Sequence, residues 1–213
     1  MYKTAIFDLD GTLLDTLADL TNAVNYALAK HGLPERTAKE IRSFLGNGMV
    51  RLIELSANGA ANTQEILAEF KSYYAVHSAD ETKPYKGIME VLDALKQRGV
   101  KTAILSNKGD FAVQTLTKEY FGDLIDEAQG ENEAQGVKRK PSPDGVYAIM
   151  ERLSAKAEET VFIGDSEVDI RTAENAGVDC LAVTWGFRDK QELIENGGKT
   201  LVATPKELLQ FFK

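Results

Sequence analysis

The sequence predicts an α/β protein: a parallel sheet covered by helices on both faces, with an all-helical block inserted near its start. Three observations carry this. After the apolar run Ala5-Ile6-Phe7, further runs of strand length, Val100 to Leu105, Thr160 to Ile163 and Asp179 to Val183, alternate from Gly87 onward with segments of helical period. Between Asp15 and about Asp80, nothing alternates as a strand would. Asp8, Ser106 and Asp165 each stand directly behind an apolar run, where open parallel sheets bind their ligands.

Taken in order, the first strand ends at Asp8-Leu9-Asp10-Gly11-Thr12, and the period then changes. Leu17, Leu20, Val24 and Leu28, with Ala23 and Ala27, form a helical stripe that stops at Gly32-Leu33-Pro34. Further helices are predicted over Ala38 to Leu45, Gly48 to Asn58 and Thr63 to His77. Lys83-Pro84-Tyr85-Lys86-Gly87 marks the return. A helix over Ile88 to Arg98 precedes the strand Val100 to Leu105, a helix runs from Asp110 to Tyr120, and a short strand is predicted near Leu124 to Ala128. Gly130 to Arg139 reads as a loop, and Ser142-Pro143-Asp144 starts a helix through Leu153. The strand Thr160 to Ile163, a helix capped by Ser166 and ending before Gly177, and the strand Asp179 to Val183 follow. A helix over Lys190 to Asn196, a strand near Leu201 to Ala203 and a helix over Pro205 to Phe212 finish the chain.

The length of 213 residues allows one large core with a modest insertion. A net charge of −8 argues against nonspecific nucleic-acid or anionic-membrane binding, although local charge still governs a small anionic substrate. Cys180 is the only cysteine and lies in an apolar run, so it reads as core. No apolar stretch is long enough to span a bilayer, and a cytoplasmic location is expected.

Asp8 and Asp10 are one residue apart where a buried strand ends. Such carboxylates are costly unless a cation or a specific chemistry awaits them. Read alone, each candidate has an ordinary structural meaning. Asp-Gly makes turns, Ser106 caps or turns, Lys138-Arg139-Lys140 is a solvated basic run, and Asp165 with Asp169 is an N-cap and a helical acid.

Together, and in this order, the segments resemble the four motifs of the haloacid dehalogenase (HAD) superfamily: Asp8-Leu-Asp10-Gly-Thr12, Ser106, Lys140-Pro141 and Gly164-Asp165-Ser166-Glu-Val-Asp169. The resemblance implies a Rossmann-like, HAD-like core over residues 1–15 and 85–213, with a helical cap over 16–84. It implies Asp8 as the nucleophile that forms an aspartyl-phosphate and Asp10 as general acid and base. Thr12, Ser106, Asn107 (through its N–H) and Lys140 would bind the phosphoryl group, with Lys108 a further candidate neighbour. Asp8, the Asp10 carbonyl and Asp165 would hold Mg2+, with Ser166 and Asp169 supporting or, for Asp169, ligating.

A hard cation with oxygen ligands relieves the repulsion among converging carboxylates, and Mg2+ takes one or two of them plus waters and substrate phosphate. The run Glu174-Asn-Ala-Gly177-Val with Val183-Thr-Trp185-Gly186-Phe is similar to the phosphoglycolate phosphatase branch. Gly130-Glu131, where that branch often has Gly-Asp, departs from it. In the cap, Gly46-Asn47-Gly48 reads either as a turn or as an anion site at a helix start, with Arg51 a turn further on. The implied activity is a Mg2+-dependent phosphatase acting on a small phosphorylated metabolite, phosphoglycolate first. A pyrophosphatase, a sugar-phosphate phosphatase, a β-phosphoglucomutase-like mutase or a silent binding domain are the rivals. A monomer or homodimer without nucleic-acid or membrane partners is expected.

Overall fold

The structure, a computed structural model, describes residues 1–132, 136 and 138–213. The chain forms two compact units, one of Met1–Leu14 with Pro84–Lys213 and one of Asp15–Lys83.

In the first unit, β1 (Thr4–Phe7), β4 (Lys101–Gly109), β5 (Glu127–Glu131), β6 (Thr160–Gly164), β7 (Asp179–Val183) and β8 (Thr200–Val202) form a six-stranded sheet ordered β5-β4-β1-β6-β7-β8. Every pairing is parallel. β1 lies between β4 and β6 and is buried along its whole length, which is why Ala5, Ile6 and Phe7 are apolar without alternation. The helices are α5 (Ile88–Gln97), α6 (Asp110–Tyr120), α7 (Asp144–Arg152), α8 (Glu167–Ala176) and α9 (Lys190–Glu195). Ile6, Ala103, Leu105 and Phe162 of the sheet pack with Val146 and Ile149 of α7 and Ala173 and Ala176 of α8. This makes an α/β, Rossmann-like parallel sheet whose strand ends carry the polar residues.

Three elements differ from expectation. The strand predicted near Leu124 to Ala128 begins later: Gly122–Leu124 is a 3-10 turn and β5 runs from Glu127. Leu124 and Ile125 misled because their apolar side chains suggest a strand, while the true edge strand is polar. Gly130 and Glu131, expected in a loop, belong to β5, where the Gly130 N–H donates to Asp110 Oδ1 at 2.8 Å. A Cβ on Gly130 would stand 2.4 Å from the Asp110 Cα, so only glycine lets β5 pass the start of α6. Residues 133–135 and 137 of the predicted loop lie outside the described residues. The last helix, Pro205–Phe211, is 3-10 in form.

Strand β4 also runs past the predicted Leu105. Leu105 pairs with Gln129 but Gly109 with Glu131, so Ser106, Asn107 and Lys108 form an irregular, bulged stretch. Bulges re-aim side chains at strand ends.

The second unit consists of α1 (Leu17–Lys30), α2 (Ala38–Phe44), α3 (Gly48–Ala57) and α4 (Thr63–His77). Its core gathers Leu20, Val24 and Leu28 of α1, Ile41 of α2, Ile53 of α3, and Ile66 and Phe70 of α4. Thr37 and Glu40 close α2 with a reciprocal capping box. Leu14–Asp15 (β2) and Lys83–Pro84 (β3) form a separate two-stranded sheet.

Candidate active site

Asp8 follows β1 directly, and its N–H continues the sheet by donating to the Ile163 carbonyl at 2.8 Å. Its Oδ1 accepts from the Leu9 N–H at 2.7 Å and from the Lys140 ammonium at 2.8 Å. The chain then turns at Gly11, where φ is +88°. A Cβ there would also lie 2.4 Å from Asp165 Oδ2, so glycine satisfies both the turn and the close approach.

Asp165 follows β6. Its Oδ2 accepts from the Phe187 N–H at 2.6 Å and its Oδ1 from the Thr12 hydroxyl at 3.2 Å. Gly186 is the second glycine this carboxylate requires, since a Cβ there would stand 2.4 Å from the Asp165 side chain. The Trp185 indole N–H ties the same loop back to the Thr12 carbonyl at 3.0 Å.

Asp169 sits in the first turn of α8, completely buried. Its Oδ2 accepts from the Ser166 N–H at 3.0 Å and the Ser166 hydroxyl at 2.7 Å, closing a capping box. Its Oδ1 accepts from the Lys140 ammonium at 2.6 Å. Both oxygens therefore have partners, and Asp169 acts on Lys140.

Lys140 thus bridges Asp8 and Asp169, with its side chain 2% exposed. Lys138, its rival in the basic triplet, is 71% exposed and paired with Asp144.

Asp8, Asp165 and Asp169 each bring a carboxylate oxygen within 4.8 Å of the others. Burial, only partly opposed by Lys140, pushes Asp8 up to about 7. Burial and the charges of Asp169 and Asp8 hold Asp165 well above the usual carboxylate range. For Lys140, burial alone would lower the pKa, but Asp169 and Asp8 hold it above the ordinary lysine value. Crowded acids that resist ionisation, all presenting oxygen, are the donor chemistry that suits a small hard cation. The carboxylates of Asp8 and Asp165 fit that task. Asp169 fits it less well because the Lys140 ammonium holds its Oδ1 and two Ser166 donors hold its Oδ2, whereas Asp165 accepts from one backbone N–H and one hydroxyl.

Asp10 has a cation of its own. The Lys108 ammonium lies 3.0 and 3.1 Å from its two oxygens, with the lysine side chain 3% exposed. The sequence marked Lys108 only as a neighbour; the signal available was a lysine inside a strand end that is otherwise buried. Ser106 is buried in the bulge and its Oγ accepts from the Lys108 N–H at 3.3 Å. Thr12 is fully buried and its N–H reaches the Leu9 carbonyl at 3.3 Å, so its polar groups serve the loop and Asp165. Asn107 was expected to offer its N–H, and its side chain makes a pair of contacts with Lys140 taken up below.

The α/β unit thus carries Asp8, Asp10, Thr12, Ser106, Asn107, Lys140, Asp165, Ser166 and Asp169 at its strand ends. Gly46, Asn47, Gly48 and Arg51 belong to the helical unit. Gly46 and Gly48 have φ of +107° and +79°, and Asn47 is the N-cap residue of α3. Arg51 pairs with Glu54 at 3.2 Å and is 54% exposed. Residues that sequence reading missed are Phe187, whose N–H fixes Asp165, and Arg188, which grips Glu167 at 2.8 and 3.3 Å. Cys180 is partly buried and packs against the sheet core, and burial pushes its thiol pKa up.

A profile of the haloacid dehalogenase-like hydrolases matches residues 5–183. The chain belongs to this family. It is 33% identical over 220 residues to phosphoglycolate phosphatase 1 of Pseudomonas aeruginosa, covering 97% of this chain and 78% of that protein. It is also 33% identical over 196 residues to the phosphoglycolate phosphatase of Agrobacterium fabrum, covering 87% and 82%. Among solved structures, a Lactobacillus delbrueckii subsp. bulgaricus protein with a provisional phosphoglycolate phosphatase name superposes with a TM-score of 0.93. It is 38% identical, with 99% of this chain and 98% of that one covered. This HAD hydrolase is therefore phosphoglycolate phosphatase-like, a phosphoric monoester hydrolase. Among the described residues no helix is long and apolar enough to cross a membrane.

Proposed function

We propose that the protein hydrolyses a small phosphate monoester through an aspartyl-phosphate on Asp8, with Mg2+ as cofactor and phosphoglycolate as the leading substrate. The observation that supports this most is the pairing of a buried carboxylate at the end of the central strand with a buried ammonium, beside a second carboxylate that accepts from a hydroxyl and a backbone N–H.

An Asp8 oxygen attacks phosphorus, and the bond from phosphorus to the ester oxygen breaks as that oxygen takes a proton from Asp10. Water then attacks the phosphoryl group and gives its proton to Asp10, and the bond from phosphorus to Asp8 breaks, releasing inorganic phosphate. Lys108 orients the Asp10 carboxyl for both proton transfers through its contacts at 3.0 and 3.1 Å. Lys140 offsets the charge of the arriving phosphoryl oxygens, and Asp169 keeps its ammonium in place. Ser106 and the Asn107 N–H are assigned to those oxygens as well. Mg2+, held by Asp8, Asp165 and the Asp10 carbonyl, supplies charge neutralisation when bound. Chemistry of this kind rests on positioning and charge neutralisation.

The helical unit is assigned the role of a cap that selects the substrate. The Gly46–Gly48 turn and Arg51 are its contacts to a substrate carboxylate, a group that phosphoglycolate carries.

Phosphate release from phosphoglycolate and a panel of other esters, with and without Mg2+, tests the reading. Asp8→Asn is expected to lose roughly 10⁴-fold or more in kcat. Unchanged Mg2+-dependent turnover in that variant removes Asp8 as nucleophile. A requirement for a bisphosphate activator would identify a mutase, and a better ester in the panel would replace phosphoglycolate while leaving the chemistry intact.

A further inference from the structure

Lys140 holds a central place in the site but lies in neither a strand nor a helix. Its ammonium sits on a flexible four-carbon stem, so the place of its backbone decides whether it reaches Asp8 and Asp169 together. In a strand, the N–H and C=O of such a residue would be satisfied by neighbouring backbone. Here one side chain satisfies both. The Lys140 N–H donates to Asn107 Oδ1 at 2.7 Å, and Asn107 Nδ2 donates to the Lys140 carbonyl at 3.0 Å.

A primary amide has one acceptor and one donor face in a single plane, as a peptide group does. Asparagine can therefore stand in for the missing neighbouring strand. Leucine, of similar size, offers neither bond, and aspartate offers only the acceptor. Asn107 is itself fixed, because it lies in the bulge between Leu105 and Gly109 of β4 and is 7% exposed. The next carbonyl, that of Pro141, accepts from Asn175 Nδ2 at 2.8 Å, so the segment is held at two successive residues.

We propose that the Asn107 side chain is a positioning residue for catalysis: it fixes the backbone of Lys140 so that the ammonium meets Asp8 and Asp169 simultaneously. This goes beyond the N–H contact assigned to Asn107 above and rests on Lys140 being the cation of the phosphoryl site. A displacement of about 1 Å in a positioned group costs on the order of 10²-fold in rate.

The test is a double-mutant cycle in kcat and KM with Mg2+ and phosphoglycolate, or the best ester of the panel. Asn107→Ala is expected to lower kcat by about 10- to 100-fold. In a Lys140→Ala background, the same substitution is expected to cost less than about twofold, since no ammonium remains to be placed. An equal factor in both backgrounds overturns the proposal. Asn107→Leu repeats the cycle with the volume retained, and thermal unfolding shows which variants fold. If neither variant folds, the pair serves the fold and not the ammonium, and the proposal fails. If Lys140→Ala alone leaves turnover unchanged, the reading of Lys140 as the phosphoryl cation fails, a result distinct from either of the others.

Discussion

The two units use buried charge differently. In the helical unit, Asp19 of α1 is 2% exposed, and its carboxylate accepts from the Glu81 N–H, the Thr82 N–H and the Thr82 hydroxyl. Its partners are almost all backbone, and its task is to hold the returning chain. In the α/β unit, Asp8, Asp165 and Asp169 are equally buried but face one another and one shared lysine. Their cost is not fully offset, as the raised Asp8 and Asp165 show. A buried acid that backbone donors satisfy contributes to the fold. Acids left in mutual repulsion point to a further positive partner, and that is a functional signature.

The comparison is sharpest at Asp10, which has a dedicated lysine. If Lys108 orients Asp10, Lys108→Met removes that support. The expected loss is about 10²-fold in kcat, the contribution typical of a general acid or base. KM for the ester should change much less. Steady-state kinetics across a range of ester concentrations checks this, and a loss confined to KM would make Lys108 a substrate contact instead.

How far the sequence reveals this difference varies with the element. α4, α6 and β7 have the bounds that period and punctuation indicate, because each combines a strong apolar pattern with a clear stop. β5 was misplaced because edge strands are polar and lack that pattern. At the site, Asp8, Lys140, Asp165 and Asp169 are legible because they stand at fixed places beside strand ends and a proline. The pairing of Lys108 with Asp10 spans 98 residues and depends on the bulge in β4, which no local pattern announces. The same holds for Phe187, whose contribution to Asp165 is a backbone N–H and so is independent of residue type.

Proton linkage tests the unsatisfied side of the comparison. In the metal-free protein, folded Asp8 titrates near 7 and Asp165 well above the usual carboxylate range. Between the ordinary carboxylate pKa and these values, the folded state binds more protons than the unfolded chain, so stability falls as pH rises through that window. Lys140 contributes nothing to the slope there: its pKa is raised, and its stabilisation is lost only above the ordinary lysine range. Mg2+ competes with the extra protons. Its stabilising shift in Tm should therefore be larger at about pH 8 than at about pH 6, by a few degrees for a chain of this size. Equal shifts at both pH values would remove Asp8 and Asp165 as the ligands.

The smallest effect is expected from the helical unit's exposed candidate. Arg51 is 54% exposed and its pair with Glu54 is an i,i+3 contact at the surface. Such pairs contribute at most about 1 kcal/mol, so Arg51→Ala should leave Tm nearly unchanged. A lost charge-assisted bond to a substrate carboxylate is worth about tenfold in affinity or more. KM for phosphoglycolate should therefore rise about tenfold while kcat holds. An ester without a carboxylate should show no change. If both esters lose equally, Arg51 acts on the phosphoryl group, and the division between one unit for chemistry and one for selection does not hold. If neither responds, selection lies with other residues, and the backbone N–H groups of the Gly46–Gly48 turn become the groups to test.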